Sequence, residues 1–350
     1  MYKRIIIFVG SLSSGGAEKV ISIISKNLFA YFKEVEVFLY YNRQLFYDLD
    51  NNIKVRIIEK ETGTKNFFKN MIWLRKNVSK NDVFVSFLAP FNMFAILALF
   101  NKIKIVVADR NDPKFIPQNF FKRKLRNFLY IFAKRVICQT ENNKKYFNKN
   151  IQNKITVIYN PIYISEKIGV ALEEEKENTI VSVGRLTKQK NQKLLINSFE
   201  KFLQLYPDYK LFIYGEGKER QDLEKYIKYL KLEKQIFLPG AFNDIHSRIK
   251  KAKVFVITSD YEGMPNALLE AMSLGLPCIS TKVSGATELI KNYKNGILVE
   301  RNSSKISKEI IKVIENKEYA YQLGVEATKI YNKLNESRII KQWINAIVKY

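Results

Sequence analysis

Residues 179–203 read TIVSVGRLTKQKNQKLLINSFEKFL and contain the local pattern that decides the fold. A short apolar run ends in a Gly-Arg turn, and the turn leads into a stretch with apolar residues at helical spacing. Residues 4–24, RIIIFVGSLSSGGAEKVISII, follow the same order of apolar run, glycine-rich turn and amphipathic stretch. Continuous apolar runs are typical of parallel strands buried on both faces, and such strands need a crossover connection. Each stretch therefore predicts a strand–turn–helix unit.

This alternation continues along most of the chain and predicts two doubly wound parallel sheets, an α/β fold. Strands are expected at residues 4–9, 34–40, 54–58, 82–87, 104–108, 135–139, 154–158, 179–183, 209–214, 236–238, 254–258, 278–281 and 296–299. Helices are expected at residues 18–32, 191–205, 219–230, 243–250, 267–274 and 304–316. Asn160-Pro161 and the acidic stretch 166–178 separate the two series, so the domains are expected at 1–165 and 166–334.

Composition excludes several classes of protein. The 350 residues are 47% apolar, enough for two buried cores, and Cys138, Cys278 and the single His246 exclude a disulfide framework and a four-ligand zinc site. The 59 basic and 34 acidic side chains give a formal charge of +25, of which +17 falls in residues 1–165. This excess indicates an anionic partner: nucleic acid, anionic lipid or a phosphorylated small molecule.

Two turns carry groups suited to phosphate. Arg185 and Lys190 flank the entry to the helix after residue 183, where Arg binds a diphosphate by its fork and Lys as a point charge. Gly15 and Gly16 allow a ligand to approach the backbone at a helix start. The alternative interpretations are a solvated basic loop and a merely tight turn.

Glu262 and Glu270 frame the sequence EGMPNALLE. A wholly helical spacing of eight residues separates them by about 12 Å, too far for the paired carboxylates of a retaining hydrolase, which stand about 5–5.5 Å apart. The pair suits the two ends of an elongated ligand with a helix N-terminus between them. The alternative is that Glu270 only caps or solvates a helix.

Four further segments invite interpretation as membrane or metal elements. Residues 83–100 are uncharged, but Pro90 and Asn92 favour a strand and a buried helix over a membrane span. Residues 65–76 and 120–135 mix large apolar and basic side chains at helical spacing, which fits either an anionic membrane surface or ordinary helix docking. Asp48-Leu49-Asp50 is interpreted as a turn rather than a metal motif.

The ordered set of motifs resembles glycosyltransferase family 4, whose members are retaining enzymes of GT-B fold. The matching stretches cover nearly the whole chain: SGGAEKV (14–20), VIYNPI (157–162), VGRLTKQKN (183–191), IYGEGKER (213–220), FLPG (237–240), SDYEGMPNALLEAMSLGLPCIS (259–280), SGATELI (284–290) and NGILV (295–299). The resemblance implies two Rossmann-like doubly wound domains facing across a cleft, with a C-terminal helix at about 335–350 packing back onto the first domain.

The resemblance also implies roles for individual residues. Arg185 and Lys190 would hold the donor diphosphate, Glu262 would contact the donor sugar, and Glu270 would bind the nucleotide ribose. The other donor-binding positions would be Gly15, Gly16, Gly215, Leu238, Gly263, Met264, Asn266 and Leu268. Arg110 and Asn111, in a loop similar to the SERNDP-type variant of surface-polysaccharide enzymes, would lie on the acceptor side. Many relatives carry a His facing the donor sugar, and this chain has none in that loop.

The expected activity is transfer of a hexose or N-acetylhexosamine, with retention, from a nucleotide sugar (UDP-linked) to a lipid-linked or surface-polysaccharide acceptor. No metal, no other cofactor and no nucleic-acid partner are expected. The expected location is the cytoplasm, peripherally at the inner face of the cytoplasmic membrane through residues 65–76 and 120–135. Two alternatives stay open: a nucleotide-sugar epimerase or phosphorylase, and a non-catalytic nucleic-acid-binding protein.

Overall fold

The strands predicted from the apolar runs build two separate parallel sheets in the computed structural model. The structure describes residues 2–12, 16–43, 45–46, 49–59, 66–164, 166 and 168–348, with residues 2, 3 and 59 described by their backbone alone. The chain divides into a first unit, Met1–Pro161 together with Glu336–Tyr350, and a second unit, Ile162–Asn335.

The first unit contains a seven-stranded parallel sheet in the order β3-β2-β1-β4-β5-β6-β7. Its strands are β1 (Tyr2–Val9), β2 (Phe32–Tyr41), β3 (Lys54–Glu59), β4 (Val83–Phe87), β5 (Ile105–Asp109), β6 (Arg135–Cys138) and β7 (Ile155–Val157). Its helices up to residue 161 are α1 (Gly16–Asn27), α2 (Phe67–Asn77), α3 (Ala89–Ala98), α4 (Phe120–Tyr130), α5 (Glu141–Tyr146) and α6 (Lys149–Gln152). All five residues of β5 are buried, as expected for a strand with helices on both faces.

The second unit contains a six-stranded parallel sheet in the order β10-β9-β8-β11-β12-β13. Its strands are β8 (Glu177–Val183), β9 (Lys210–Tyr214), β10 (Ile236–Gly240), β11 (Ala252–Ile257), β12 (Cys278–Thr281) and β13 (Ile297–Val299). Its helices are α7 (Gln192–Leu203), α8 (Arg220–Tyr229), α9 (Ile245–Ile249), α10 (Asn266–Ser273), α11 (Ser284–Leu289), α12 (Ser303–Glu315), α13 (Lys317–Thr328) and α14 (Ile330–Leu334).

The last helix, α15 (Glu336–Val348), returns to the first unit. The indole of Trp343 is fully buried and stacks on Phe87 of β4, with 5.4 Å between ring centroids. Arg135 of β6 donates from Nη1 to the carbonyl of Ala346 (3.2 Å). The apolar face of helix α15 is therefore part of the core of the first unit.

Each predicted strand has a counterpart among the described residues, whereas some helices differ from the prediction. The first helix ends at Asn27, because Phe32 already pairs with Tyr2 in the sheet. The segment 83–100 is β4 followed by α3, and none of the described helices is both long enough and apolar enough to span a membrane. Residues 317–334, for which no helix was predicted, form α13 and α14.

Arg126 of α4 differs from the other basic residues of segment 120–135, which was predicted to fit either a membrane surface or ordinary helix docking. Its side chain is fully buried, and Nη1 donates to the carbonyls of Pro113 (3.1 Å) and Ile116 (2.5 Å). The same Nη1 lies 3.8 Å from Oδ2 of Asp109, whose pKa is raised by burial. A buried guanidinium needs such acceptors. Arg126 is therefore an internal cation and does not belong to the exposed surface.

Candidate active site

The topology of the second unit makes a crevice at the carboxyl ends of β8 and β11. Strand β8 lies between β9 and β11: the chain proceeds from β8 to β9 and β10 on one side, and then crosses from β10 to β11 on the other side. Ligands of doubly wound sheets bind at such a switch point, because the loops on either side separate there. The loop after β8 carries Arg185 and Lys190, and the loop after β11 carries Glu262. The topology therefore brings three predicted site residues to one edge of one sheet.

Hydrogen bonds join these two loops directly. The hydroxyl of Thr258 donates to the carbonyls of Lys190 (3.2 Å) and Asn191 (3.0 Å). The backbone N–H of Asp260 also donates to this loop, to the carbonyl of Gln189 (2.8 Å). Asn191 has φ +50°, a left-handed conformation that Asn tolerates better than most residues. The two loops are thus held in a fixed register before any ligand binds.

Lys190 and Glu262 contact each other across this junction. Nζ of Lys190 donates to Oε1 of Glu262, and the hydroxyl of Ser259 donates to the same oxygen (2.8 Å). Only 18% of the Lys190 side chain and 10% of the Glu262 side chain are exposed. A pair this far from solvent is held more firmly than a surface ion pair. Ser259 was not predicted, although its place three residues before Glu262 in the same loop was visible in the sequence.

Arg185 differs from Lys190 in having a free head group. Its carbonyl accepts a hydrogen bond from the side-chain amide of Gln192 (2.9 Å), which fixes the turn. The side chain itself is exposed, and its guanidinium has no ion-pair partner among the described residues. The guanidinium of Arg185 is therefore available to an anionic ligand at the carboxyl end of β8.

Gly215 fixes the turn after β9 beside this edge. Its φ is +138°, and a Cβ at this position would lie 2.0 Å from the carbonyl oxygen of Gly184. Its N–H donates to the carbonyl of Gly240 (2.7 Å), while the N–H of Gly184 donates to that of Tyr214 (2.9 Å). Only glycine meets both requirements, so the turn after β9 packs closely against the turn that precedes Arg185.

The loop that follows Glu262 is buried and leads into the N-terminus of α10. Gly263 and Met264 are both buried, and a Cβ on Gly285 would lie 2.6 Å from the Gly263 carbonyl oxygen. Helix α10 begins at Asn266, and its N-cap residue, Pro265, makes no side-chain cap hydrogen bond. The backbone N–H groups at a helix start attract anions. Because Glu262 precedes the helix, the wholly helical spacing considered for the two glutamates is not the one observed.

Glu270, in the middle of α10, is paired with the single histidine of the chain. Its Oε2 lies 3.3 Å from Nε2 of His246, within ion-pair distance although without hydrogen-bond geometry. Both side chains are largely buried. His246 lies in α9, and nothing in the sequence connects it with Glu270. Sequence reasoning therefore missed this contact.

The two leucines predicted to line the donor site contribute to the hydrophobic interior. Leu268 is fully buried in α10, and its N–H donates to the carbonyl of Pro265 (3.1 Å) within the first helical turn. Leu238 of β10 packs against the main core cluster of the second unit, and its carbonyl accepts from Nη2 of Arg220 (2.9 Å). A role for either residue toward a ligand stays a prediction.

The predicted site residues of the first unit differ in how far they are exposed to solvent. Gly16 is the exposed first residue of α1, while Gly15 and Asp48 lie outside the described residues. Asn111 is half-buried directly after Arg110. Among the residues that the structure describes, no group of three or more His, Cys, Asp or Glu side chains is placed to hold a metal ion.

The guanidinium of Arg110, after β5, donates into the first unit's own interior. Nη1 donates to the carbonyl of Ile158 (3.1 Å) and Nη2 to the side chain of Asn160. Its Cζ lies 5.4 Å from the centre of the Trp343 ring, a cation–π distance. Burial lowers the pKa of Arg110 to about 9. In this structure Arg110 links β5 to α15, and its predicted contact with acceptor or phosphate is untested.

Comparisons with known proteins agree with this architecture. Residues 164–330 match the family model of glycosyl transferases group 1. The chain is 30% identical over 317 residues to the N-acetylgalactosamine-N,N'-diacetylbacillosaminyl-diphospho-undecaprenol 4-alpha-N-acetylgalactosaminyltransferase of Campylobacter jejuni, an alignment covering 84% of this chain and 85% of that protein.

A second Campylobacter jejuni protein is similar over almost the whole chain. It is GalNAc-alpha-(1->4)-GalNAc-alpha-(1->3)-diNAcBac-PP-undecaprenol alpha-1,4-N-acetyl-D-galactosaminyltransferase, 27% identical over 358 residues and covering 99% of this chain and 98% of that protein. Among solved structures, Anabaena Alr3699/HepE in complex with UDP and glucose superposes with a TM-score of 0.84 at 19% identity, covering 100% of both chains. At that identity the likeness shows the fold, which is the GT-B class predicted from the sequence.

Proposed function

This chain belongs to the group 1 glycosyltransferases, and on that premise we propose that it transfers a hexose or N-acetylhexosamine from a UDP-sugar to a lipid-linked glycan. The names of the two Campylobacter relatives, which act on diphospho-undecaprenol-linked sugars, support the acceptor class. The UDP and glucose bound to Anabaena HepE support the donor class. Surface-polysaccharide assembly is the process that such a reaction serves.

The contact between Lys190 and Glu262, at the mouth of the switch-point crevice, carries this proposal. Lys190 and Arg185 supply two cations, and the N-terminus of α10 supplies a partial positive charge. A nucleoside diphosphate that accepts these charges becomes a better leaving group, because the charge that develops as the glycosidic bond breaks is stabilised. The proposed catalysis is therefore electrostatic.

We also propose that the anomeric configuration of the sugar is retained. Glu262 is engaged by Lys190 and Ser259, so its carboxylate is suited to orienting a sugar hydroxyl rather than to removing a proton. The acceptor's proton would instead pass to an oxygen of the departing phosphate on the same face of the sugar. Analysis of the product anomer by NMR tests this step, and an inverted product contradicts it.

Incubation of the purified protein with a panel of nucleotide sugars tests the donor assignment. We expect slow release of UDP from one UDP-sugar without acceptor, faster release with a diphospho-undecaprenol glycan, and no loss of rate in EDTA. Glu262→Ala should reduce transfer by at least 100-fold without unfolding the protein. Glu233→Gln, a change of an exposed carboxylate remote from these loops, is the matched control. Full activity of Glu262→Ala would refute the assignment.

The first unit carries a surface suited to an anionic bilayer, which we call the aromatic face. Helix α3 packs against both α2 and α4. Helices α2 and α4 expose large apolar side chains. The most exposed are Phe68, Ile72, Phe120, Phe121 and Phe128. Lys69, Lys76, Lys122 and Lys124 are exposed on the same helices. Apolar side chains interleaved with lysines are the chemistry that binds anionic headgroups and the acyl boundary.

We propose that this face attaches the protein to the inner surface of the cytoplasmic membrane. Sedimentation with vesicles tests the attachment. Binding should require phosphatidylglycerol, weaken as salt rises, and fall in Phe121→Ser/Phe128→Ser and in Lys122→Gln/Lys124→Gln. Lys225→Gln/Lys228→Gln, which changes two exposed lysines of α8, is the control. Equal binding to neutral vesicles would assign the face to another role.

A further inference from the structure

A cavity of about 680 Å³ lies at the amino ends of β4 and β5 in the first unit. Val83 and Ile105, the first residues of the two strands, line it. Arg110 follows the opposite, carboxyl end of β5, about 17 Å away for a five-residue strand. The volume falls within the usual range for small-molecule sites, roughly 300–1,000 Å³. The cavity is therefore separate from the predicted acceptor loop.

The floor of this cavity is apolar and its mouth is aromatic. The buried side chains of Ile96, Leu99 and Ile105 line the interior. Phe100 and Phe132 line the cavity as well and remain nearly half-exposed, with their rings in edge contact at 5.3 Å. Such a lining accepts a hydrocarbon chain and offers it no hydrogen bonds.

The rim of the cavity is cationic. Four lysines line it, Lys80, Lys102, Lys104 and Lys134. Asp82, the only carboxylate among the described residues that line the cavity, is neutralised by Arg4, whose Nε donates to Oδ1 (3.1 Å). Among the residues that the structure describes, Lys80 and Lys104 form no ion pair. An apolar interior under a lysine rim is complementary to an anionic amphiphile.

The cavity is also continuous with the aromatic face. Phe132 contacts Phe128 of α4, with 5.5 Å between ring centroids, and Phe128 is among the most exposed side chains of that face. Lys102 donates from Nζ to the carbonyl of Arg75 at the end of α2, which ties the rim to the same group of helices. The aromatic face and the cavity therefore adjoin each other at Phe128 and Phe132.

We propose that this cavity binds one anionic phospholipid, its acyl chain over Ile96, Leu99 and Phe100 and its headgroup at Lys80 and Lys104. The inference adds a defined lipid site to the proposed membrane attachment and rests on that attachment for its supply of lipid. Occupancy can be measured separately, because a lipid in detergent solution reaches the cavity without any bilayer.

Native mass spectrometry of the full chain in detergent, with phosphatidylglycerol or phosphatidylcholine added, tests the proposal. We expect one phosphatidylglycerol per chain, and about 30-fold weaker binding in Lys80→Gln/Lys104→Gln, since each lysine contributes about a fivefold change. Lys225→Gln/Lys228→Gln should bind like the wild type, and circular dichroism of both variants checks that they fold.

Three results would overturn the proposal. They are equal binding of phosphatidylcholine, unchanged affinity in Lys80→Gln/Lys104→Gln, and displacement of the lipid by glycerol 3-phosphate, which would indicate a site for soluble phosphates. Failure of membrane attachment gives a different result, because Phe121→Ser/Phe128→Ser would then leave vesicle sedimentation unchanged. Binding of one phosphatidylglycerol per chain in detergent would still support the lipid site.

Discussion

The pair formed by Lys190 and Glu262 makes a prediction that joins stability to donor binding. In Lys190→Met, the carboxylate of Glu262 keeps only the hydroxyl of Ser259 as a described donor (2.8 Å). Removing one partner of a fully buried pair costs about 3–5 kcal/mol, and an exposed pair is worth at most about 1 kcal/mol. Because 18% of the Lys190 side chain and 10% of the Glu262 side chain are exposed, the free energy of unfolding should fall by about 2 kcal/mol in Lys190→Met. The double variant Lys190→Met/Glu262→Gln should recover most of it.

Urea denaturation of the wild type, both single variants and the double variant completes the cycle. The coupling free energy should be about 1–2 kcal/mol, and additive single changes would refute the reasoning. Calorimetry of UDP binding gives the second measurement. A charge-assisted hydrogen bond is worth about 1.5–3 kcal/mol. The affinity for UDP should therefore fall by at least tenfold in Lys190→Met. Glu262→Gln frees Lys190 and should bind UDP at least as tightly as the wild type while transfer is lost. Unchanged UDP affinity in Lys190→Met would refute the binding of the diphosphate by Lys190.

Three further perturbations have definite expected outcomes. Gly215→Ala places a methyl group 2.0 Å from a carbonyl oxygen, so it should lower the free energy of unfolding by more than about 2 kcal/mol, whereas Gly169→Ala, with similar φ and open space, should cost about 1 kcal/mol. Trp343→Ala should cost about 3–5 kcal/mol in urea denaturation, because a fully buried ring is lost; a cost below 1 kcal/mol would contradict the packing of α15. His246→Ala should raise the KM for the UDP-sugar with little change in kcat, and His246→Gln should partly restore it; a fall in kcat alone would exclude positioning of Glu270.

The strands and the loops that carry Arg185 and Glu262 were predictable because their signals are local. Apolar runs such as residues 179–183 are buried on both faces whatever helix covers them, so their pattern survives any tertiary arrangement. Arg185 and Glu262 follow such runs, and the carboxyl ends of parallel strands share one edge. The family resemblance then supplied expected roles for both residues.

Contacts between distant segments were not predictable in the same way. In the sequence, Arg126 lies at helical spacing among other cations. Its burial depends on the carbonyl groups of residues 113 and 116 and on Asp109. The periodicity of the sequence does not indicate these contacts. His246 meets Glu270 only because α9 packs against α10. Thr258 holds the Lys190 loop from a strand end 68 positions away. Each of these depends on three-dimensional proximity that the residue types alone do not specify.

The return of α15 to the first unit has a consequence for synthesis of the chain. The second unit is one continuous segment, Ile162–Asn335, and domains generally fold as units while the ribosome is still working. The first unit began earlier but closes later, because Phe87 and Arg110 have no indole against them until Trp343 leaves the exit tunnel. The first unit is therefore completed only after the whole of the second unit has been synthesised. A nascent chain stalled before residue 343 should bind chaperones through the uncovered surface around Phe87.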